Sequence, residues 1–501
     1  MLSRKDEKRA LQRAMSAFIR EKNGWESLPA FSPNPLSALF RQFSATIHIV
    51  ANNMYCLNAE FLIFFIHNSG LFLILESFIV SESVFSKCDF LLPAEAELVK
   101  WSTIACDQFS SEPEYWAQAE EIIGDSPSTL HLMLPEVRLP YCDSEAETLK
   151  IKQNMRDYLD NGIFKVVEDS FIYVERLLSS GSIRRGLIGT LDLENYEYLK
   201  TSTTLIRATE EAVPDRLPPR VMGRQGAPLD LPHIVVFIDD PEHTVIDPII
   251  YAQEKPEMLY DFDLMLGGGH ITGWRVCGNN AKDVECALER LGDPEVLMEK
   301  YNIPGMSPVT FAVGDGNHSL AAARICWEKI RETLSPAERL THPARYSMVE
   351  LVNIHDSSII FEPIHRIIFS TDTTHIFDEV RSRFAGLTGD SGKSYDVEFC
   401  THERSEKFTV DGLNIAELIA ICEELAQEYM RNFGGRIDYV HDNTAAQLGA
   451  QEGNIGILLP AMQKTELFPA IIRSGAFPRK SFSIGYAKDK RYYLECRKIS
   501  L

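Results

Sequence analysis

PVTFAVGDGNHSLAAARICWEKIRE, residues 308–332, changes its periodicity halfway along, and that change decides the fold class. Residues 309–313 are a short apolar run of β-branched and aromatic side chains that predicts a buried strand, and Leu320, Ala323, Trp327 and Ile330 then recur at helical spacing. Between them Gly314-Asp315-Gly316-Asn317-His318-Ser319 supplies two glycines for backbone freedom, an Asp and an Asn that tolerate tight turns, and a serine placed to cap the helix. The free N–H groups of such a first turn, at the positive end of the helix dipole, form a ready anion site, usually for phosphate. His318 and Asp315 stand at its mouth. Read without a ligand, the same stretch is a glycine-rich turn with a packed histidine.

Working outward, apolar runs at 186–193, 234–238 and 346–354 predict further strands. Residues 113–123, opened by Pro113, and residues 144–161 predict amphipathic helices. Residues 413–432 carry Ile415, Leu418, Cys422, Leu425 and Tyr429 at helical spacing and stop at Gly434-Gly435, as a packing helix does. Helices alternating with strands give a mixed α/β, or α+β, fold. Pro214, Pro218, Pro219, Pro228 and Pro232 punctuate what reads as an extended, loop-like region.

The first 86 residues differ in texture. Residues 4–22 are basic with helical character, and 61–66 and 71–75 are very apolar. The stretch 57–80 approaches membrane-spanning length, but Glu60, His67, Asn68, Gly70 and Glu76 interrupt it, and each buried charge costs roughly 2.5–3.5 kcal/mol. An appended or poorly ordered extension is expected there, followed by a catalytic core over 87–335 and a C-terminal α/β region over 336–501 that completes the site.

A chain of 501 residues, 45% hydrophobic, has room for two or three domains with substantial cores. Its net charge of −22, from 50 Lys and Arg against 72 Asp and Glu, repels polyanions, so nucleic acid is not an expected partner. A small phosphorylated ligand in one basic cleft is not excluded by net charge. The ten cysteines are scattered without a C-x-x-C pair, signalling neither a zinc site nor a disulfide framework, and a reducing cytoplasm is the expected location.

Other stretches hold the residue types of known sites. Residues 386–394 miss the phosphate-loop spacing by one residue and follow a helical pattern instead of a strand, so they read as a turn. Gly267-Gly268-Gly269-His270 fails the dinucleotide spacing and reads as a flexible active-site loop or as a plain loop. Residues 206–220 hold Arg207, Arg216 and Arg220 with Glu210 and Glu211. Arginine forks bind phosphate or carboxylate, and a neighbouring Glu serves as base or magnesium ligand; a surface ion-pair network has the same composition. The tail, with Arg479, Lys480, Lys490 and Arg491, is a local basic spot suited to an anionic group or to the solvated face of a hairpin.

The stretches 101–116 (WSTIACDQFSSEPEYW), 126–136 (SPSTLHLMLPE), 207–220 (RATEEAVPDRLPPR), 231–240 (LPHIVVFIDD), 313–323 (VGDGNHSLAAA) and 479–497 together resemble the family catalogued as domain of unknown function 1015, from about Cys88 onward. That family is grouped with the ParB and sulfiredoxin-like superfamily, which includes DNA-partition proteins, sulfiredoxins and free-serine kinases using ADP or pyrophosphate. The resemblance implies a ParB/sulfiredoxin-like core whose strand-turn-helix holds nucleotide or pyrophosphate phosphates through an Asp-Gly-His-His-Arg type motif. Asp315, Gly316 and His318 match it, Asn317 replaces a His, and Ser319 replaces the Arg expected to fork onto a phosphate. Either the Ser319 hydroxyl and helix N–H groups suffice, with Arg207, Arg220, Arg479 or Lys480 supplying the charge, or the ligand is not a phosphate.

The resulting expectation is a magnesium-dependent phosphotransferase acting on a small hydroxylated metabolite such as free serine. Gly314, Gly316, Asn317 and Ser319 would hold the donor, Asp315 would place magnesium, His318 would bond the transferred group, and Glu210 would be the base. Two alternatives share these residues: a lyase or hydrolase of a small amino or hydroxy acid, and a nucleotide-binding regulatory protein without turnover. Sequence does not specify the oligomeric state.

Overall fold

The computed structural model describes residues 83–500, apart from 232, 254, 304 and 390, together with the backbone of a short antiparallel pair, Phe65–His67 with Gly70–Phe72. The basic segment 4–22 lies outside the described residues, as does the apolar stretch 57–80 apart from that pair. Residues 1–80 and 81–501 form separate units. Among the described residues, no helix is long and apolar enough to cross a membrane.

The unit spanning 81–501 is a mixed α/β protein. Its large sheet contains β1 (Phe85–Ser86), β2 (Cys88–Pro93), β3 (Phe164–Leu177), β4 (Ile183–Asp192), β5 (Tyr196–Glu197), β6 (Ile206–Ala208), β7 (Val235–Ile238), β8 (Glu257–Asp263), β9 (His270–Val276), β10 (Phe311–Asp315) and β11 (Tyr346–Asn353). The strand order is β8-β9-β3-β4-β11-β7-β10-β6-β5, with β1 paired to β4 and β2 to β3. β7 runs parallel to β11 and antiparallel to β10, which places Val235 opposite Asp315.

A smaller antiparallel sheet, β14-β13-β16-β12-β15, is built from β12 (His365–Phe369), β13 (Ser394–Cys400), β14 (Ser405–Asp411), β15 (Arg436–Val440) and β16 (Ile455–Leu458). The principal helices are α1 (Pro113–Ile123), α2 (Ser144–Asp160), α3 (Leu217–Arg224), α4 (Asn317–Arg331), α5 (Ile376–Phe384) and α6 (Ile415–Phe433).

Strand β7 shows why its sequence is continuously apolar. Ile234, Val236 and Ile238 enter one core with Leu320, Ala323 and Trp327 of α4, whereas Val235 and Phe237 enter another with α6 and the smaller sheet. Alternate side chains of a strand leave by opposite faces, so burial on both faces removes the polar half of the pattern. Fully burying a side chain such as Leu320 contributes about 1.5–3 kcal/mol, and this anchors α4 at the end of β10. α6 is fixed by a reciprocal capping box between Asn414 and Glu417 and ends at Gly434.

Three local expectations need correction. The proline-rich stretch contains helix α3, because Pro218 and Pro219 fall in its first turn, where their missing N–H groups cost nothing. The tail is not a free hairpin: Tyr492 and Tyr493 pair with Ile104 and Thr103, and Arg491 is buried. Ser319 does not cap α4; the cap is Gly316. The loop 386–394 joins α5 to β13, consistent with a turn. The glycine triplet joins β8 to β9, where a Cβ on Gly269 would lie 2.0 Å from the Leu177 carbonyl oxygen.

Candidate anion-binding site

Strand β10, paired on both sides, carries the motif at its C-terminal end, and Gly316 turns the chain into α4 with φ of 77°. A side chain there would be strained by that backbone, and its Cβ would sit 2.9 Å from the Cα of Ile234. Because the cap has no side-chain oxygen, it leaves the N–H groups of Asn317 and His318 at the start of a 15-residue helix without a capping partner. Gly314 has a packing role that its expected ligand contact did not include. An added Cβ would lie 2.2 Å from the Phe237 ring, so its smallness admits that ring.

Charge gathers around this turn from remote segments. Lys490 Nζ lies 2.9 Å from Asp315 Oδ2, while the Gly316 N–H donates to Asp315 Oδ1 at 2.9 Å. Burial opposes the ammonium, yet Asp315 holds the Lys490 pKa above its usual value. From α3, Arg220 Nη1 donates to Ser319 Oγ at 3.1 Å, and Nη2 donates to Glu136 Oε1 at 2.6 Å and lies 3.5 Å from Asp107 Oδ2. Burial opposes this guanidinium too, but the carboxylates of Asp107 and Glu136 hold it firmly protonated. Position 319 thus lacks an arginine of its own, and one arrives from α3.

Asp107 is shared. His233 Nε2 stands 3.4 Å from its Oδ2, His233 Nδ1 is 2.8 Å from Tyr493 Oη, and the Tyr493 hydroxyl donates to Cys106 Sγ at 3.2 Å. Burial alone would push the Asp107 carboxyl up, but His233 and Arg220 hold it well below the usual range. Burial pushes the Cys106 thiol up to about 11, so it is no thiolate at neutral pH.

His318 extends from the first turn of α4, where its Nε2 accepts the Val213 N–H at 3.0 Å. Burial and the neighbouring Arg220 and Arg216 lower its pKa to about 4. Glu210 follows β6. Burial raises its pKa with help from Asp315, while Lys480 and the backbone N–H groups of Lys480 and Ser481 oppose the rise. Lys480 adopts a left-handed backbone with φ of 60°, a costly conformation for a side chain with a Cβ. Arg220 Nε and Asn317 Oδ1 are buried with no hydrogen-bond partner among the described residues.

The structure therefore brings together Asp315, Gly316, Asn317, His318, Ser319 and Arg220 with Lys490, while Glu210 bears on Asp315 and Lys480 on Glu210. Two expected arginines do not join them. Arg207 donates to the Thr204 and Ser307 carbonyls and is buried as part of the fold. Arg479 bears on Tyr439 of the smaller sheet, and no described contact joins it to the turn. Asp315 also fits its expected magnesium role poorly, since Lys490 and the Gly316 N–H engage both carboxylate oxygens. Among the described residues, no group of three or more His, Cys, Asp or Glu could hold a metal ion.

Sequence reasoning missed Cys106, Asp107, Glu136, His233 and Tyr493 as site residues, and treated Lys490 only as part of a basic tail. Each lies inside one of the six stretches that carry the family resemblance. The available signal was that every stretch contained an ionisable residue, and only folding shows that they converge.

A family model described as a protein of unknown function, DUF1015, matches residues 89–494. No curated protein matches the chain. Among solved structures, SbnI with a C-terminal truncation from Staphylococcus aureus is 8% identical with a TM-score of 0.30, covering 60% of this chain and 82% of that one. A conserved hypothetical protein from Pyrococcus furiosus is 9% identical with a TM-score of 0.29, covering 62% and 94%. A free serine kinase in complex with AMP is 8% identical with a TM-score of 0.32, covering 62% and 90%. Similarity at this level carries no argument about what the chain does.

Proposed function

The chain belongs to the DUF1015 family, and from that premise we propose that it is a small-molecule phosphotransferase, moving a phosphoryl group from a nucleotide or pyrophosphate to a hydroxylated metabolite. The observation that carries this reading is the first turn of α4, capped by a left-handed glycine and flanked by the cations of Arg220 and Lys490. A helix N-terminus with two nearby cations is suited to a polyanion that must gain and redistribute charge. The N–H groups of Asn317 and His318 would face the donor phosphates. Arg220 and Lys490 would neutralise the transferred oxygens, the former as a fork and the latter as a point charge. Glu210 is suited to accept the acceptor's hydroxyl proton, because burial makes its carboxylate more basic than an exposed one. Magnesium, which neutralises phosphate charge in such reactions, would be held chiefly by the donor's own oxygens.

Phosphorus NMR tests the reading on the full chain with magnesium, a mixture of amino and hydroxy acids, and ATP, ADP or pyrophosphate in separate tubes. A new phosphomonoester signal that disappears with Glu210→Gln is the expected result. Intact donors in every tube with a folded protein overturn it.

A further inference from the structure

One hydrogen bond at the site specifies where a proton sits. The Val213 N–H donates to His318 Nε2 at 3.0 Å, and a ring nitrogen that accepts an N–H carries no proton of its own. In the neutral ring the proton is therefore on Nδ1. No partner for Nδ1 is found among the described residues, nor is it among the buried unpartnered atoms, so it remains open to whatever enters the mouth of the helix. Charging the ring would place a second N–H against the Val213 amide and break the bond. The surroundings act in the same sense: burial is the largest influence, Arg220 and Arg216 repel a positive imidazole, and Asp107 alone favours it, holding His318 down at about 4.

We infer that the Val213 amide fixes His318 as the neutral Nδ1–H tautomer, so that His318 serves the site as a hydrogen-bond donor and not as an acid or a base. The identity of what Nδ1 faces rests on the anion-site reading above. The tautomer is a property of the ligand-free protein and stands apart from it. Val213 lies on the segment that also carries Glu210 and Arg220, so one stretch of chain supplies the residue that moves a proton, the residue that neutralises charge, and the amide that forbids His318 from doing the first. Val213 is thus a positioning residue, acting through its backbone.

The test is long-range proton–nitrogen NMR on the full chain with nitrogen-15 histidine, the His318 signals being identified by their loss in His318→Asn. The expected pattern is a protonated Nδ1 and a bare Nε2, unchanged from about pH 8 to about pH 5. A protonated Nε2, or a titration near the ordinary histidine value, overturns the inference. Val213→Pro removes the donor at a residue whose φ of −82° is close to the proline range, and should shift the His318 midpoint upward from about 4. Should that variant fail to fold, the wild-type tautomer pattern still decides.

Pyrophosphate titration separates the donor role from the anion reading. An Asn amide can present an N–H near the place of Nδ1, so His318→Asn should bind pyrophosphate within about threefold of wild type, and His318→Ala about tenfold more weakly. Equal weakening by both overturns the donor role. If pyrophosphate perturbs no signal of the wild-type protein, the anion-site reading falls, and the donor role with it, while the tautomer pattern is judged by its own spectrum.

Discussion

Lys490 and Arg491 are neighbours in sequence and enter two different kinds of charged environment. Arg491 forks onto Glu350 at 2.7 Å and Glu495 at 2.5 Å, where the carboxylate side chains are 3% and 0% exposed and Arg184 Nε lies 3.5 Å from Glu350. Lys490 reaches Asp315 with side-chain exposures of 20% and 23%, and the nearby carboxylates of Asp107 and Glu136 are each 19% exposed. Both clusters pair cations with carboxylates, but one is sealed and the other is reachable by solvent. The sealed one braces β4 against β11 and the tail; the reachable one has capacity left for a ligand. Burial, more than composition, separates scaffold from site.

The largest effect expected from this division is on the sealed side. Glu350→Ala leaves Arg184 and Arg491 without their shared carboxylate and should cost about 3–5 kcal/mol, read as a lower urea midpoint at unchanged slope. The comparison breaks if Glu136→Ala costs as much. On the reachable side Glu210→Gln should slow phosphoryl transfer by on the order of 10²–10⁴ without loss of the fold, measured as turnover beside thermal unfolding. Arg220→Lys keeps the charge and loses the fork; pyrophosphate affinity should fall about tenfold in calorimetry.

The smallest effects concern pH and have opposite signs in the two places. The Glu350 pKa is lowered: burial opposes the charge, but Arg184 and Arg491 more than offset it. Its contribution is therefore present above the ordinary carboxylate value of 4.5 and lost as pH falls through the folded value. The Glu210 pKa is raised, so ionised Glu210 costs stability at neutral pH and the cost disappears below about 4.5. Glu210→Gln should therefore melt slightly above wild type at neutral pH and level with it in acid, as scanning calorimetry at two pH values would show.

How much of this was legible depended on sequence separation. The strand-turn-helix around Asp315 was readable because its signals lie within one apolar run and one helical period, and α1, α2 and α6 were readable for the same reason. The 14-residue strand β3 escaped, since Lys165, Glu168 and Asp169 interrupt its first half, where it pairs with β2 and carries exposed side chains. The site was half legible. Residues within the turn were found, whereas Asp107, Glu136, His233 and Tyr493 meet it only through contacts between distant segments, which no local pattern encodes. Arg207 misled for the converse reason: a buried arginine bonded to carbonyls has the same sequence appearance as one facing a ligand.

The tail has a consequence for biosynthesis. Tyr492 and Tyr493 pair with Ile104 and Thr103, Cys496 bridges to Leu91, and Lys490 meets Asp315, so a segment synthesised long after the first strands of this unit is needed to complete them. At about 5–20 residues per second, a ribosome takes roughly ten to thirty seconds to travel from Asp315 to Lys490. During that interval the nascent chain carries an acidic turn without its ammonium and a strand edge without its partner. Closure is a long-range event of the kind that folds slowly, and it coincides with the arrival of Lys490 at Asp315. Until Lys490 is synthesised, Asp315 therefore lacks the ammonium that it meets in the folded unit.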